Sequence, residues 1–591
     1  MRHFIVTVLG VLTALFIAFI TVPALIAVAV TVALAPDEEP LPGRIVIELD
    51  LAAPLAEQPP LAFFPFGAGR TLTLADLHGG LARAAADPDV AALYIRGGGG
   101  LASPAGAEEI LEAMAAFKAS GKPVFAFTQD VSPGALGDYL VLAQAQKLWM
   151  QPTGGFLPAG LSMRPAFLRG TLEMLGIEPD FVQFRDYKGA ADTFTETQMT
   201  PAQREANRAL IEAIDATLSG GIAVARGLSR ADFKAALEAA PLPAEAARAA
   251  GLADELAYES EVRDEVLAEA GEDAGFLGLA DYARDRKPFR RGTVIATVYG
   301  EGMIVTGEAP PAGPFGGEPV IGSATMARAI SEAAEDEDVK AILVRINSPG
   351  GSATGSDEVW NAIRAARAAG KPVVASMGAV AASGGYYIPS GADLIVANPA
   401  TITGSIGIVG GKFAVGGLLD KLGVTVDTLS TTQNADMWAA DVPFSDAQRA
   451  RFSAWLEQGY EDFKARVADG RKMSGAEVEA VAQGRIWAGR DAAARGLVDR
   501  LGGFGTALAA TRDLAGIGAD EPVELRTFPK PRSWQEDLFG ITMNAEAAMR
   551  GLSLLAALAR DPEVAAVLRE VKAAREVDPG LDARAPVPSV R

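Results

Sequence analysis

The sequence repeats itself once, at domain length. The stretch 90–128, "VAALYIRGGGGLASPAGAEEILEAMAAFKASGKPVFAFT", matches 339–377, "VKAILVRINSPGGSATGSDEVWNAIRAARAAGKPVVASM", at an offset of 249 residues. That offset aligns Arg96 with Arg345, and Gly121-Lys122-Pro123-Val124 with Gly370-Lys371-Pro372-Val373. After a two-residue slip, an offset of 247 aligns Tyr139 with Tyr386, Pro152 with Pro399 and Gly176 with Gly423. A period this long is not that of a solenoid of small stacked units; it implies duplication of a whole domain.

Each copy alternates strand and helix. "AILVRI" (341–346) is a short apolar run suited to a buried parallel strand, 355–369 has helical spacing, "GKPVVAS" starts a strand after a turn, and "ADLIVAN" (392–398) is a third. That order implies right-handed crossovers and a mainly parallel sheet in an α/β fold. Longer amphipathic helices follow each core, at 201–227 and 446–470. The 591 residues then divide into an anchor and linker (1–43), a first repeat (44–287), a second repeat (288–533) and a C-terminal segment (534–591). The last is expected to hold a helical region with an apolar stretch at 552–559 and a disordered, Pro-rich tail from 576.

Composition narrows the chemistry. The net charge is -21 and no dense Lys/Arg face is present, which argues against nucleic acid as a partner. There is no cysteine, which excludes disulfides, thiolate metal sites and a cysteine nucleophile. The chain holds 2 histidines, His3 and His78. A Ser-His-Asp triad and most zinc sites need imidazole, so acid–base work is expected to fall to Lys, Asp, Glu or Tyr.

Residues 4–35 carry no charge, and about 20 apolar residues suffice to cross a bilayer as a helix. A secretory signal has a shorter apolar region, and Pro36 is a poor residue just after a cut. One retained transmembrane helix is therefore expected. Arg2 precedes it and Asp37, Glu38 and Glu39 follow, which places the N-terminus in the cytoplasm and the body across the membrane, in a periplasm.

"GAVAASGGYY" (378–387) holds the candidate nucleophile. Ser383 follows a strand, stands among residues without bulk and opens a helix. A helix N-terminus supplies free amides and positive partial charge, and the Gly384 N–H is one candidate oxyanion donor. The loop "NSPGGSATG" (347–355) after the preceding strand offers a second, because Gly350-Gly351 leave its amides uncovered. The activating base cannot readily be histidine. Lysine serves if desolvation leaves a neutral amine, and "FVQFRDYKGAADTF" (181–194) of the first copy contains Lys188. In the second copy Ala435 stands where Lys188 aligns, and in the first copy the Ser383 position falls near Gly134 or Leu136. Each copy lacks what the other keeps, which points to one composite site per pair of copies.

With "NSPGGS", "MGAVAASGGYYI", "ANPATITGSIGIVG" and "DYKGAADTFT" in place, the chain resembles the signal peptide peptidase A (protease IV) family in its long, duplicated bacterial form. The resemblance covers nearly the whole chain. It implies two tandem Clp protease/crotonase-like repeats with mainly parallel sheets and flanking helices. It implies that Ser383 is the nucleophile and Lys188 the general base of a Ser-Lys dyad, that Ser405 orients the lysine, and that Gly384 and Gly351 donate to the oxyanion. It further implies a homotetramer on the bacterial inner membrane that degrades signal peptide remnants and unfolded peptides, with no metal, cofactor or nucleotide. The "GGGG" at 97–100 departs from the family loop, but in the copy that does not carry the serine. Two rival readings are a crotonase-like acyl-CoA enzyme and an inactive membrane scaffold.

Overall fold

Short apolar runs become the strands of two sheets. The computed structural model describes residues 42–58, 71–98, 103–286, 289, 291–309 and 319–530. The apolar segment 4–35 and the C-terminal segment expected at 534–591 lie outside the described residues. Among the described residues, no helix is long and apolar enough to cross a membrane.

The first sheet has the order Glu255–Leu256, Lys147–Met150, Val124–Thr128, Val90–Arg96, Arg44–Asp50, Ala274–Gly278, all parallel. The second has the order Ile486–Ala488, Ile402–Gly404, Val373–Ala382, Val339–Ser348, Thr293–Glu301, Val523–Phe528. It is parallel except where Ile402–Gly404 meets Ile486–Ala488, and Leu394–Ala397 adds alongside Val373–Ala382. Helices cover these sheets, so the central strands are apolar on both faces: Ile342, Leu343 and Val344 are wholly buried. Ser103 caps the helix Pro104–Ala119 and Ser352 caps Ala353–Ala368, each accepting from the amide three residues on.

Corresponding side chains bridge corresponding segments in both repeats. Lys122 Nζ donates to the carbonyls of Ala84 and Asp87, and Lys371 Nζ to those of Asp336 and Val339. The hydroxyl of Tyr139 donates to Leu252, and that of Tyr386 to Leu497. Arg226 pairs with Asp254 as Arg471 does with Asp499. The duplication is thus written into polar contacts as well as apolar spacing.

Two features stand out among the contacts that join the repeats. One apolar cluster runs from Leu77, Ile110 and Phe117 of the first into Leu343, Val374 and Phe504 of the second. At its edge lies a buried ion network. Arg345 donates to Glu57 and to Glu109 at 2.8 Å each, and also to Ser376 Oγ and the Met377 carbonyl. Burial alone would raise Glu109; the Arg345 guanidinium and His78 outweigh it and hold the carboxyl at about 2. The second joint is an antiparallel ladder between Glu178–Gln183 of the first repeat and Val409–Ala414 of the second. It carries the chain straight toward Lys188.

Candidate active site

Ser383 ends the strand Val373–Ala382 and stands at the N-cap of the short helix Gly384–Tyr387. Its backbone has φ 55° and ψ -120°, a conformation that costs a non-glycine residue about 1–3 kcal/mol. The strain is held from several sides. The Ser383 amide donates to the Gly404 carbonyl, and the amides of Tyr386 and Tyr387 donate to the Ser383 carbonyl. Tyr386 is itself fully buried.

Lys188 arrives from the other repeat. It follows the strand Glu178–Gln183 and is buried, at 4% exposure. Its Nζ lies 2.8 Å from Ser383 Oγ, 3.0 Å from Ser405 Oγ and 2.9 Å from the Ser405 carbonyl. All these partners are neutral oxygens. Burial therefore acts on the amine without a countercharge and pushes it down to about 7. Ser405 is set by its own backbone, with φ 52° and its amide donating to the Arg485 carbonyl at 2.7 Å.

The glycine loops meet at the serine. A Cβ on Gly350 would lie 2.8 Å from both the Gly384 amide nitrogen and Ser383 Cβ. One on Gly384 would lie 3.4 Å from the Gly351 amide nitrogen. Among the described residues neither the Gly351 nor the Gly384 amide donates to a backbone carbonyl. The site thus presents a buried amine, a strained hydroxyl and two neighbouring amides. All five residues singled out in the sequence are brought together here.

Other contributors carry no motif. The stretch 300–320 reads as a loop in the sequence, yet Met303–Val305 and Val320–Gly322 form a two-stranded parallel ladder. Ile304 braces the oxyanion loop: its amide donates to the Gly350 carbonyl, and its carbonyl accepts from Ser352. Gly407 and Gly484 wall the lysine. A Cβ on Gly484 would fall 2.4 Å from Lys188 Cβ, and one on Gly407 3.1 Å from Lys188 Cδ. Such close approaches need tertiary structure to be seen.

His78 takes no part in this site. It lies against Glu109 and Phe504 at the joint between repeats. Ligand-type atoms of His78, Glu109 and Glu112 gather within 4.8 Å. Their carboxylate oxygens, however, already accept from Arg345, Asn398 and the amides of Gly503, Phe504 and Thr506. The cluster caps a helix start and seals the interface. A cavity of about 280 Å³ also lies between the repeats, lined by Leu49, Leu77, Ile110, Glu57, Arg345 and Asn347 among others, but no residue of the dyad.

Known proteins resemble this chain along most of its length. "Protease 4" of Salmonella typhi is 34% identical over 68% of this chain and 66% of its own. "Serine protease SPPA, chloroplastic" of Arabidopsis thaliana is 31% identical over 79% of this chain and 69% of its own. "Protease 4" of Haemophilus influenzae is 32% identical over 70% and 68%. The chain thus spans about two thirds of the length of these relatives. The model of peptidase family S49 matches it twice, at residues 116–273 and 365–518, once in each repeat. With both repeats matched and relatives of this extent, the chain belongs to peptidase family S49.

Proposed function

We propose that this protein is a serine endopeptidase with a Ser383–Lys188 dyad that hydrolyses signal peptide remnants and other short or unfolded peptides. The contact that carries the reading is the 2.8 Å approach of a buried lysine amine to the hydroxyl of a strained serine. A neutral amine has two N–H bonds and one lone pair. The N–H bonds donate to the Ser405 carbonyl and hydroxyl, and the lone pair accepts the Ser383 O–H. Lys188 takes that proton as Ser383 Oγ bonds to the scissile carbonyl carbon, whose π electrons move to oxygen. The amides of Gly351 and Gly384 stabilise that oxyanion; one such donor is worth about 3–4 kcal/mol. The protonated amine passes its proton to the leaving nitrogen, the C–N bond breaks, and an ester on Ser383 remains. Water, deprotonated by Lys188, then attacks the ester, and Ser383 Oγ leaves and recovers its proton.

The setting belongs to the same proposal: a homotetramer, held on the bacterial inner membrane by residues 4–35, with its catalytic body in the periplasm. No nucleotide, nucleic acid or metal enters the reaction scheme. The test is labelling of the detergent-solubilised protein with a fluorophosphonate serine probe. Wild type is expected to label, and Ser383→Ala and Lys188→Ala to lose the label. A folded wild type that does not label would overturn the peptidase reading and leave the inactive scaffold or the crotonase-like enzyme.

A further inference from the structure

Behind Lys188 lies a turn, residues 482–485, that touches both the lysine and the serine that receives its N–H bonds. A Cβ on Gly484 would fall 2.5 Å from both the amide nitrogen and the Cα of Lys188. The Gly484 amide donates to the Ile406 carbonyl at 2.8 Å, and the Arg485 carbonyl accepts from the Ser405 amide. The turn thus walls the lysine on one side and fixes Ser405 on the other. Its backbone needs a hold, because Gln483 has φ 57°, a region disfavoured for any residue that carries a Cβ.

The hydroxyl of Tyr460 supplies that hold. Tyr460 stands on the helix Asp446–Arg471 and is wholly buried. Its oxygen accepts from the Gln483 amide at 3.1 Å and donates to Glu479 Oε2 at 3.0 Å, which a phenol does at once with one O–H and its lone pairs. Glu479, on the helix Gly475–Val481, is fixed in turn: Lys464 Nζ donates to it at 2.8 Å and Arg185 Nε at 3.3 Å. Arg185 comes three residues before Lys188, and its neighbour Phe184 stacks on the Tyr460 ring. The contacts therefore run from the segment that leads to the lysine, through Glu479 and Tyr460, into the turn that walls it. The charges around the turn are paired among themselves: Lys464 and Arg185 with Glu479, and Arg485 with Glu205 at 2.8 Å. Burial, with no charged neighbour, lowers the amine.

The first repeat does not keep this network. The caps Thr200 and Ser445, and Ser229 and Ser474, set the helices of the two repeats 245 residues apart. At that offset Asp215, Ser219, Lys234 and Ala239 stand for Tyr460, Lys464, Glu479 and Gly484. By contrast the buried pair Tyr139 and Tyr386 is kept, with the same hydroxyl bond in each repeat. We propose that Tyr460 is a positioning residue for the dyad: through the Gln483 amide it holds the 482–485 turn against Lys188, and so keeps the amine dry and within reach of Ser383. The inference rests on the peptidase reading above and deepens it. Without the hydroxyl the turn loosens, water reaches the amine, and its titration moves back toward that of an ordinary lysine.

The rate of fluorophosphonate labelling at Ser383 follows the neutral fraction of Lys188 and needs no substrate, so it is measured against pH on the full-length protein in detergent. Tyr460→Phe keeps the ring and removes the oxygen. Its acid limb is expected to lie about one pH unit above that of wild type, a loss of about fivefold at pH 7 that closes by pH 9. Tyr139→Phe removes a buried hydroxyl outside the site, and is expected to lower Tm with the limb unmoved. A Tyr460→Phe limb that stays with wild type overturns the proposal, whatever the change in Tm. An equal shift in Tyr139→Phe also overturns it, as a general effect of lost stability. Should circular dichroism show Tyr460→Phe unfolded, Glu479→Leu, which removes the acceptor of the hydroxyl, is read by the same rule. A folded wild type that takes no label overturns the peptidase reading itself, a result separate from a limb that does not move.

Discussion

Lys188 is an amine buried among neutral oxygens, and this sets two measurable consequences. With the folded amine at about 7, the fraction able to act as base falls about tenfold per pH unit below that value. The kcat/KM for a peptide substrate is expected to drop with that slope from pH 7 to pH 5; a flat profile would exclude Lys188 as the base. The second consequence is for stability. An unfolded lysine titrates near about 10.4, so between pH 7 and 10 the unfolded chain binds more protons than the folded one. The penalty of burying the amine is therefore full below pH 7 and relieved as pH rises. Lys188→Met is expected to raise Tm at pH 7, with the gap to wild type narrowing toward pH 10. Ser383 carries backbone strain of its own. Ser383→Gly relieves its positive φ, whereas Ser383→Ala keeps it, and the glycine variant is expected to be more stable by about 1 kcal/mol in urea unfolding.

At the scale of elements, the site depends on segments that approach it without touching the reaction. Gly484 lies against the lysine backbone with φ 80°, so Gly484→Ala must push Lys188 away from Ser383. A shift of about 1 Å is worth roughly a hundredfold in rate. The expected result is a fall of that order in kcat with KM little changed, and loss of probe labelling in a protein with unaltered circular dichroism. The brace at Ile304 acts similarly on the oxyanion loop, through backbone bonds on both sides of Gly351. The reason that 300–320 reads as a loop is local: "GEAPPAGPFGGEP" is all turn chemistry, and the two three-residue strands that flank it are too short to show periodicity.

At the scale of the molecule, the two repeats must hold their relative position for Lys188 to reach Ser383. Glu109 is central, because it pairs with Arg345, accepts from Asn398 and caps Phe504, all across the joint. Without Glu109 the Arg345 guanidinium keeps Glu57 alone, while the buried Asn398 amide and the Phe504 N–H lose their acceptor, at about 1–3 kcal/mol for each unmet donor. Glu109→Ala is expected to lose that much in denaturant unfolding and to lose activity with it, while Glu112→Ala, at the edge of the cluster, loses less.

The sequence by itself determined the duplication, the α/β class and the parallel strands, because apolar runs and turn residues act over a few neighbours. It also singled out Ser383 and Lys188 as candidates, since each is missing from the corresponding stretch of the other copy. Tertiary structure alone decided how they meet. The contact joins residues 195 positions apart, and it is made by a ladder between repeats whose register no local pattern encodes. The positive φ of Ser383, the closeness of Gly407 and Gly484, and the Arg345 network with Glu57 and Glu109 were likewise illegible. Arg345 aligns with Arg96, yet Arg96 bonds Asp50 within its own repeat while Arg345 reaches across to the other. The same residue in the same strand position has different partners, because burial at the joint, not sequence position, selects which carboxylates stand beside it.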